Sequence, residues 1–120
     1  MGDRPADATT QVMEESARLL YPDVELHVIE GADRGLKCKL EPPAIRVGTG
    51  AASHLRLQDR AVSRPHCRFN LTADGWTVAD LNSANGTILN GTPLTAAPLS
   101  LKDGDVLMIG ETTLLFRLPA

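Results

Sequence analysis

Polar side chains that suit an anion are concentrated in one short segment of this 120-residue chain, DRAVSRPHCRF. It places the hydroxyl group of Ser63 beside the guanidinium of Arg64, and His66 follows two positions later. A hydroxyl donor next to a cation suits the oxygens of a phosphate, because hydrogen bonds to charged groups are the strong ones. This spacing predicts a small anion site at Ser63 and Arg64.

Two further segments, VGTGAASHLRL and DLNSANGTILNG, carry glycines and a side-chain amide. Gly48, Gly50 and Gly86 permit tight turns and a close approach of the backbone to a ligand. Asn85 offers both a donor and an acceptor, which suits the main chain of a bound peptide. From these residues alone two interpretations are open: the segments bind a peptide carrying a phosphate, or Ser63 and Asn85 satisfy backbone groups of their own tight loops.

Charge is unevenly distributed along the chain. There are 12 Lys and Arg residues against 15 Asp and Glu residues, which gives a net charge of -3. Residues 46–68 contain five arginines and one acid and carry +4, so the remainder carries -7. The acidic balance argues against the broad basic surface that DNA binding needs, and we expect no direct nucleic-acid binding. A compact positive segment suits a single phosphate better.

The pattern around these segments predicts short strands. From Val24 onward apolar and polar residues alternate, and turn signals such as Asn90-Gly91 recur about every ten residues. The expected fold is all-β, a two-sheet sandwich of about 10 to 11 short strands with function in its loops. Residues 1–22 are expected to be a flexible tail with a possible short helix, and residues 23–118 the single β-sandwich domain.

The three segments resemble those of forkhead-associated (FHA) domains. The series G-x5-H-L-x-L-x-D, V-S-R-P-H-C-R-F and D-L-N-S-A-N-G-T-I-L-N-G occurs in the family's order, and the resemblance extends from about Glu25 to Leu118. It implies an FHA/SMAD-like β-sandwich that binds phosphothreonine peptides through its loops. It also implies that Ser63 and Arg64 contact the phosphate and that Asn85 contacts the peptide main chain.

Two positions depart from the family pattern. Thr49 follows the first glycine, where the family usually has an arginine that contacts the phosphate, and Ala84 stands where Thr or Ser is common. Two hypotheses therefore remain open: phosphothreonine-dependent binding, and phosphate-independent binding of a protein partner. Thr49 and Ala84 are still expected at the binding surface, whereas the residues expected to support the loops are Gly48, His66, Gly86 and Thr87.

The resemblance also implies partners. The chain resembles domains that act in bacterial Ser/Thr kinase signalling, so a phosphothreonine-containing protein and a kinase are expected partners. Thr9 and Thr10 resemble a threonine pair that is phosphorylated in some bacterial FHA proteins, which makes the chain's own tail another candidate ligand. A threonine there would equally serve as a helix N-cap. The loops also look like those of FHA domains in enhancer-binding transcription activators, which predicts regulation of an attached or partner activator.

Other classes of function are not favoured. Ser63 and His66 lack the Gly-x-Ser-x-Gly context and the orienting acid of a hydrolase, so no enzyme is expected. The histidines and cysteines lack the spacing of zinc ligands, and no metal or cofactor is expected. No apolar run approaches the roughly 18 residues of a membrane span, and the N-terminus lacks the apolar core of a signal peptide. We expect a cytoplasmic protein with free thiols at Cys38 and Cys67.

Overall fold

The structure, a computed structural model, describes residues 24–41 and 43–118. These ranges form eleven β-strands and no helix, which confirms the predicted all-β class. The tail, the short helix and the threonine pair predicted within residues 1–22 lie outside the described residues. The strands are β1 (Glu25–Glu30), β2 (Lys37–Lys39), β3 (Ala44–Gly48), β4 (Leu55–Arg56), β5 (Cys67–Thr72), β6 (Gly75–Asp80), β7 (Thr87–Leu89), β8 (Thr92–Pro93), β9 (Leu99–Ser100), β10 (Val106–Ile109) and β11 (Thr112–Arg117).

The strands form two sheets, as predicted for a sandwich. The six-stranded sheet has the order β2-β1-β11-β10-β7-β8, and the five-stranded sheet has the order β4-β3-β5-β6-β9. Strand β1, near the start of the described chain, pairs with β11 at its end, with a register shift between Val28 and Glu30. The described pairs are antiparallel except β3 with β4, which run parallel and align Gly48 with Arg56. That parallel pair matters for the site, because it brings residue 56 beside the loop that follows β3.

Alternation of side chains along the strands builds the core between the sheets. In β3, Ile45 and Val47 are buried and Arg46 is exposed, and in β5, Phe69 is buried and Arg68 is exposed. Successive side chains of a strand point to opposite faces, so each strand contributes one face to the core. Further buried residues from both sheets are Leu26, Trp76, Val78, Leu107, Leu114 and Phe116.

Both cysteines are free thiols, with Cys38 half-buried and Cys67 buried. Burial raises the pKa of both thiols, and the carboxylates of Glu41 and Asp80 raise the pKa of Cys38 and Cys67 respectively as a second cause. A buried neutral thiol behaves as a small apolar side chain. The two cysteines therefore contribute packing.

The strand directions bring the connections to two opposite ends of the sandwich. The connections β1–β2, β3–β4, β4–β5, β6–β7 and β10–β11 lie at what we call the loop end. The connections β5–β6, β7–β8 and β9–β10 lie at what we call the turn end. There Asn90 and Gly91 have φ values of 49° and 86° and join β7 to β8 in a hairpin, which confirms the turn predicted at this dipeptide. Each of the three segments singled out by the sequence contributes a loop to the loop end, and the third continues through β7 to Asn90-Gly91 at the turn end.

Candidate functional site

Ser63 and His66 form the centre of the loop end. The backbone N–H of Ser63 donates to Nδ1 of His66 over 2.9 Å, and Nε2 of His66 bonds the carbonyl oxygen of Gly86 over 2.8 Å. Because Nδ1 accepts, the ring proton lies on Nε2 and is donated to Gly86. His66 is fully buried, so its ring joins the β4–β5 and β6–β7 loops from inside.

The same bonds argue against nucleophilic catalysis by Ser63. A base would have to bond the Ser63 hydroxyl, but Nδ1 of His66 bonds the backbone nitrogen, and Nε2 bonds a backbone carbonyl. Oγ of Ser63 instead accepts a hydrogen bond of 2.9 Å from the backbone N–H of Ala84. The hydroxyl proton of Ser63 is consequently still available to donate to a ligand.

Gly48 is needed because the backbones of two loops touch there. A Cβ atom on Gly48 would lie 1.8 Å from the carbonyl oxygen of Arg64 and 2.8 Å from that of Ser63. The carbonyl oxygen of Arg64 also accepts from the backbone N–H of Gly50 at 3.2 Å and from Oγ of Ser53 at 3.1 Å. The β3–β4 loop is thereby fixed against the Ser63-Arg64 backbone.

Thr49 has both of its donors turned into the protein. Its N–H donates to the carbonyl oxygen of Ser63 at 3.1 Å, and its hydroxyl donates to the carbonyl oxygen of Val62 at 3.3 Å. A hydroxyl has one proton, so Thr49 has no donor left for an anion in this conformation. The position expected at the binding surface is thus occupied by a residue that holds the loop.

Asn85 and Ala84 lie exposed on the β6–β7 loop. Nδ2 of Asn85 donates to the carbonyl oxygen of Ala61 at 2.8 Å, which anchors the side chain across the two loops. Its Oδ1 remains able to accept an N–H from a ligand. Ala84 contributes the backbone N–H that holds Ser63 and has no polar side chain.

The carboxylate of Asp80 shapes the loop that carries Asn85. Its oxygens accept from the backbone N–H and the hydroxyl of Ser83 and from the hydroxyl of the buried Thr87, the last at 2.7 Å. Oγ of Ser83 in turn accepts from the N–H of Gly86 at 2.9 Å, and Gly86 has a φ of 84°. The turn before β7 is therefore defined by side-chain bonds.

The buried carboxylate of Asp59 does the same for the β4–β5 loop. It accepts from the N–H of Ala61 at 2.8 Å, the N–H of Glu111 at 2.7 Å and the hydroxyl of Thr112 at 2.8 Å. The last two contacts tie the loop to the β10–β11 hairpin, where Gly110 leaves space for the carboxylate. Asp59 therefore links the two sheets at the loop end.

Both carboxylates are held in the charged form. Burial raises the pKa of Asp59 and of Asp80, but hydrogen bonds to each carboxylate, from Thr112 to Asp59 and from Ser83 to Asp80, together with their other bonds outweigh burial. The net pKa of each acid is lower than its ordinary value.

The arginines of the loop end contrast with these acids. Arg56, Arg60 and Arg64 are exposed, and none forms an ion pair with another residue in the described ranges. Nε of Arg56 donates to the carbonyl oxygen of Thr49 at 3.1 Å. The acid in the same loop, Asp59, already accepts from three donors. These three arginines are therefore exposed cations without an acidic partner among the described residues.

Within residues 24–41 and 43–118, no group of three or more His, Cys, Asp or Glu side chains is arranged to hold a metal ion. Over the same residues, no helix is long and apolar enough to cross a membrane.

The sequence predicted a common site for Ser63, His66 and Asn85, and the structure places all three at one end of the sandwich. No role was predicted for Asp59, Asp80 or Arg56. An acid close to the end of a strand, as in L-x-L-x-D and V-A-D-L, was the available signal for the two carboxylates. For Arg56 there was no local signal, since its contact depends on the parallel pairing of β3 with β4.

A two-sheet sandwich with Ser-x-x-His and Asn-Gly loops at one end is the architecture of an FHA-type domain, and solved structures agree. One, from a structural and functional analysis of phosphothreonine-dependent FHA domain interactions, has a TM-score of 0.74 and 32% identity and covers 82% of this chain and 98% of that one. The FhaA FHA domain, solved in complex with the intracellular domain of another protein, has a TM-score of 0.71 and 33% identity, with coverage of 78% and 99%.

Sequence relatives lead to the same family. The glycogen accumulation regulator GarA of Mycobacterium tuberculosis is 33% identical over 115 residues, which are 95% of this chain and 70% of the relative. The oxoglutarate dehydrogenase inhibitor of Corynebacterium glutamicum is 30% identical over 115 residues, which cover 96% of this chain and 75% of the relative. A family model described as the inner membrane component of T3SS, cytoplasmic domain, matches residues 27–119, and the chain belongs to this family of FHA-type domains.

Proposed function

We propose that the loop end binds a partner protein through a phosphothreonine. The observation that carries this proposal is the hydroxyl of Ser63, whose oxygen is fixed by Ala84 and whose proton is available. Beside it stands the guanidinium of Arg64, which forms no ion pair with any described residue. Oδ1 of Asn85 supplies an acceptor for the peptide main chain on the neighbouring loop. A hydroxyl, a cation and a backbone acceptor together match a phosphorylated peptide.

The bracing of the loops supports the same proposal. His66, Asp59 and Asp80 fix the loop conformations by bonds that exist without a ligand. A preformed site avoids the free-energy cost of ordering loops when the ligand binds. The family also supports it: one similar structure concerns phosphothreonine-dependent FHA interactions, and two relatives are named as a regulator and an inhibitor. We infer that this chain is a binding module of Ser/Thr kinase signalling, without catalytic activity.

A second candidate function is binding of a protein partner without phosphate. The observation that favours it is the engagement of both donors of Thr49, at the position where the resemblance led us to expect an arginine. A hydrogen bond to a charged group contributes about 1.5 to 3 kcal/mol. A site with threonine instead of arginine at position 49 should therefore bind a phosphate about tenfold to a hundredfold more weakly.

Binding to degenerate peptide libraries separates the two functions. The probes are nine-residue libraries with a fixed central phosphothreonine, phosphoserine or unmodified threonine, measured by fluorescence polarisation with the full chain. Phosphothreonine-dependent binding predicts the highest affinity for the first library. Ser63→Ala is expected to lower that affinity about tenfold, since it removes a donor to the phosphate. Ser100→Ala, on an exposed strand away from the loop end, is the matched control.

Equal affinity for the phosphothreonine and threonine libraries would establish the phosphate-independent alternative instead. Thr49→Arg adds a guanidinium at the position that lacks one. We expect this variant to bind the phosphothreonine library more tightly than the native chain if the ligand carries a phosphate at Ser63. The same variant should leave binding to the threonine library unchanged.

We further propose that the chain's own tail is a ligand once Thr9 or Thr10 is phosphorylated, in the same molecule or in a second one. The test is enzymatic phosphorylation of the isotope-labelled full chain, followed by amide chemical shifts. Shifts at Ser63 and Asn85 that disappear in Thr9→Ala/Thr10→Ala would support it. Unmoved signals at both residues after complete phosphorylation would exclude it. A cytoplasmic location remains a prediction from the apolar pattern of the sequence, and regulation of an attached or partner transcription activator remains a prediction from the resemblance.

A further inference from the structure

A pocket of about 600 Å³ lies at the loop end beside the Ser63 loop. It is formed between the residue that follows β3 and the stretch from β4 to the β4–β5 loop. Its polar lining residues are Thr49, Arg56, Gln58, Asp59 and Arg60, and Val62 borders it next to Ser63. Two arginines, Arg56 and Arg60, therefore line one pocket next to the proposed phosphate contact.

Arg56 is held in this pocket by the fold. Strand alternation buries Leu55 and turns Arg56 outward, and the parallel pairing with β3 sets it against Gly48. Nε of Arg56 then donates to the carbonyl oxygen of Thr49 at 3.1 Å. This bond uses one of the five guanidinium N–H groups and leaves the four on the Nη atoms for a ligand. A guanidinium fixed at Nε is oriented before an anion arrives.

The charges of the pocket favour an anion. Arg56 and Arg60 have no acidic partner among the described residues. Asp59 also lines the pocket and is negative, but both of its oxygens are engaged, Oδ1 by the N–H of Ala61 and Oδ2 by the donors of Glu111 and Thr112. The two cations outnumber this carboxylate, so the pocket keeps a net positive charge.

We propose that this pocket is an oxyanion subsite of the ligand-binding surface and that Arg56 is its principal donor. This proposal rests on the proposed function, because it takes the ligand to be a phosphopeptide. The subsite takes a phosphate or carboxylate oxygen: either the phosphothreonine phosphate, reached from the side of Thr49, or an acidic side chain of the same peptide. Arg56 thereby supplies, from β4, a guanidinium beside residue 49, which itself has no free donor.

The test compares Arg56→Gln with Arg68→Gln in the full chain. Arg68 belongs to the same basic segment but lies on β5 outside the pocket, so it controls for the loss of one positive charge. The probes are three nine-residue libraries: phosphothreonine with uncharged flanks, phosphothreonine with Asp and Glu in the flanks, and threonine with the same acidic flanks. Apparent dissociation constants are measured at one fixed ionic strength.

We expect Arg56→Gln to weaken binding about tenfold relative to Arg68→Gln. Weakening with the uncharged-flank library identifies the phosphothreonine phosphate as the bound group. Weakening only with acidic flanks identifies a carboxylate. Equal affinities of the two variants for every library would overturn the subsite. If the native chain does not distinguish phosphothreonine from threonine but Arg56→Gln still weakens binding to acidic flanks, the proposed function fails and the subsite stands.

Discussion

The loop end and the turn end of the sandwich are joined by the same strands but stabilised in different ways. At the loop end, Asp59 and His66 are buried, and each bonds groups from other loops. At the turn end, Asp103 and Asn90 are exposed, and they accept from the backbone N–H groups of Leu118 and Val106 respectively. Longer loops with irregular backbone need buried side chains to satisfy and fix them, whereas a two-residue turn is fixed by its own dihedral angles.

The comparison also concerns charge. At the loop end, backbone and hydroxyl donors engage the carboxylates of the buried Asp59 and the half-buried Asp80, and Arg56, Arg60 and Arg64 form no ion pairs within the described ranges. At the turn end, Asp103 lies 3.6 Å from Arg117 as well as accepting from the N–H of Leu118. The acids of the loop end build its loops, and its cations are left for a ligand. Substitutions at each end test how far the two ends differ.

The largest effect on stability is expected when a methyl group is added at Gly48. In Gly48→Ala the new Cβ would meet the backbone carbonyl of Arg64, which cannot move without shifting the Ser63 loop. We expect a loss of about 3 kcal/mol or more in the free energy of unfolding. Gly91→Ala at the turn end meets no atom within 4 Å and is strained only by its φ of 86°, at a cost of about 1 kcal/mol. Urea denaturation measures both, and equal losses would contradict the proposed difference between the ends.

The second-largest effect on stability is expected when the buried acid Asp59 is replaced. Asp59→Asn exchanges an acceptor oxygen for a donor facing other donors, and we expect a loss of about 2 to 3 kcal/mol at pH 7. The half-buried Asp105 accepts from the N–H of Lys102 and from Asn90 at the turn end, and Asp105→Asn is expected to lose about 1 kcal/mol or less. Urea denaturation of both variants measures the difference, and a larger loss in Asp105→Asn would reverse the expected order.

This difference should depend on pH. The folded protein lowers the pKa of Asp59, so the ionised acid stabilises the fold above the pKa of the unfolded chain, and the contribution is lost as the pH falls through the folded pKa. The asparagine introduced by Asp59→Asn does not titrate. The gap in urea midpoint between the native chain and this variant should therefore narrow below about pH 4. A gap that stayed constant down to about pH 2 would show that the charge of Asp59 is not what stabilises the loop.

The smallest effect is expected at the ion pair of the turn end. The Nε of Arg117 and Oδ1 of Asp103 are 3.6 Å apart, and both side chains are nearly half exposed. Solvent and salt screen such a pair, so Arg117→Gln should change the free energy of unfolding by less than about 0.5 kcal/mol. Thermal unfolding of the native chain and of Arg117→Gln at low and high salt measures this change in stability. A loss above about 1 kcal/mol would mean that the turn end depends on charge as strongly as the loop end.

Much of the fold was predictable because its signals are local. Alternating residues identified strands such as β3 and β5, and Asn90-Gly91 identified a hairpin, since both patterns depend on the conformations of a few neighbouring residues. Part of the site was also local: the sequence brought forward Ser63, His66 and Asn85. The bond from Thr112 to Asp59 joins residues 53 positions apart, and no local pattern indicates such a contact.

The sequence by itself determined the class of fold, the three loops and the excess of arginine in them. Residue types and their short-range spacing are sufficient for these features. Only the tertiary structure decided which polar groups are already engaged. It turned both donors of Thr49 inward, engaged both oxygens of Asp59 and made Nε of Arg56 donate to the carbonyl oxygen of Thr49. The polar groups that can bind a ligand are those that the fold has not already paired with each other. Which groups are paired depends on contacts between distant parts of the chain.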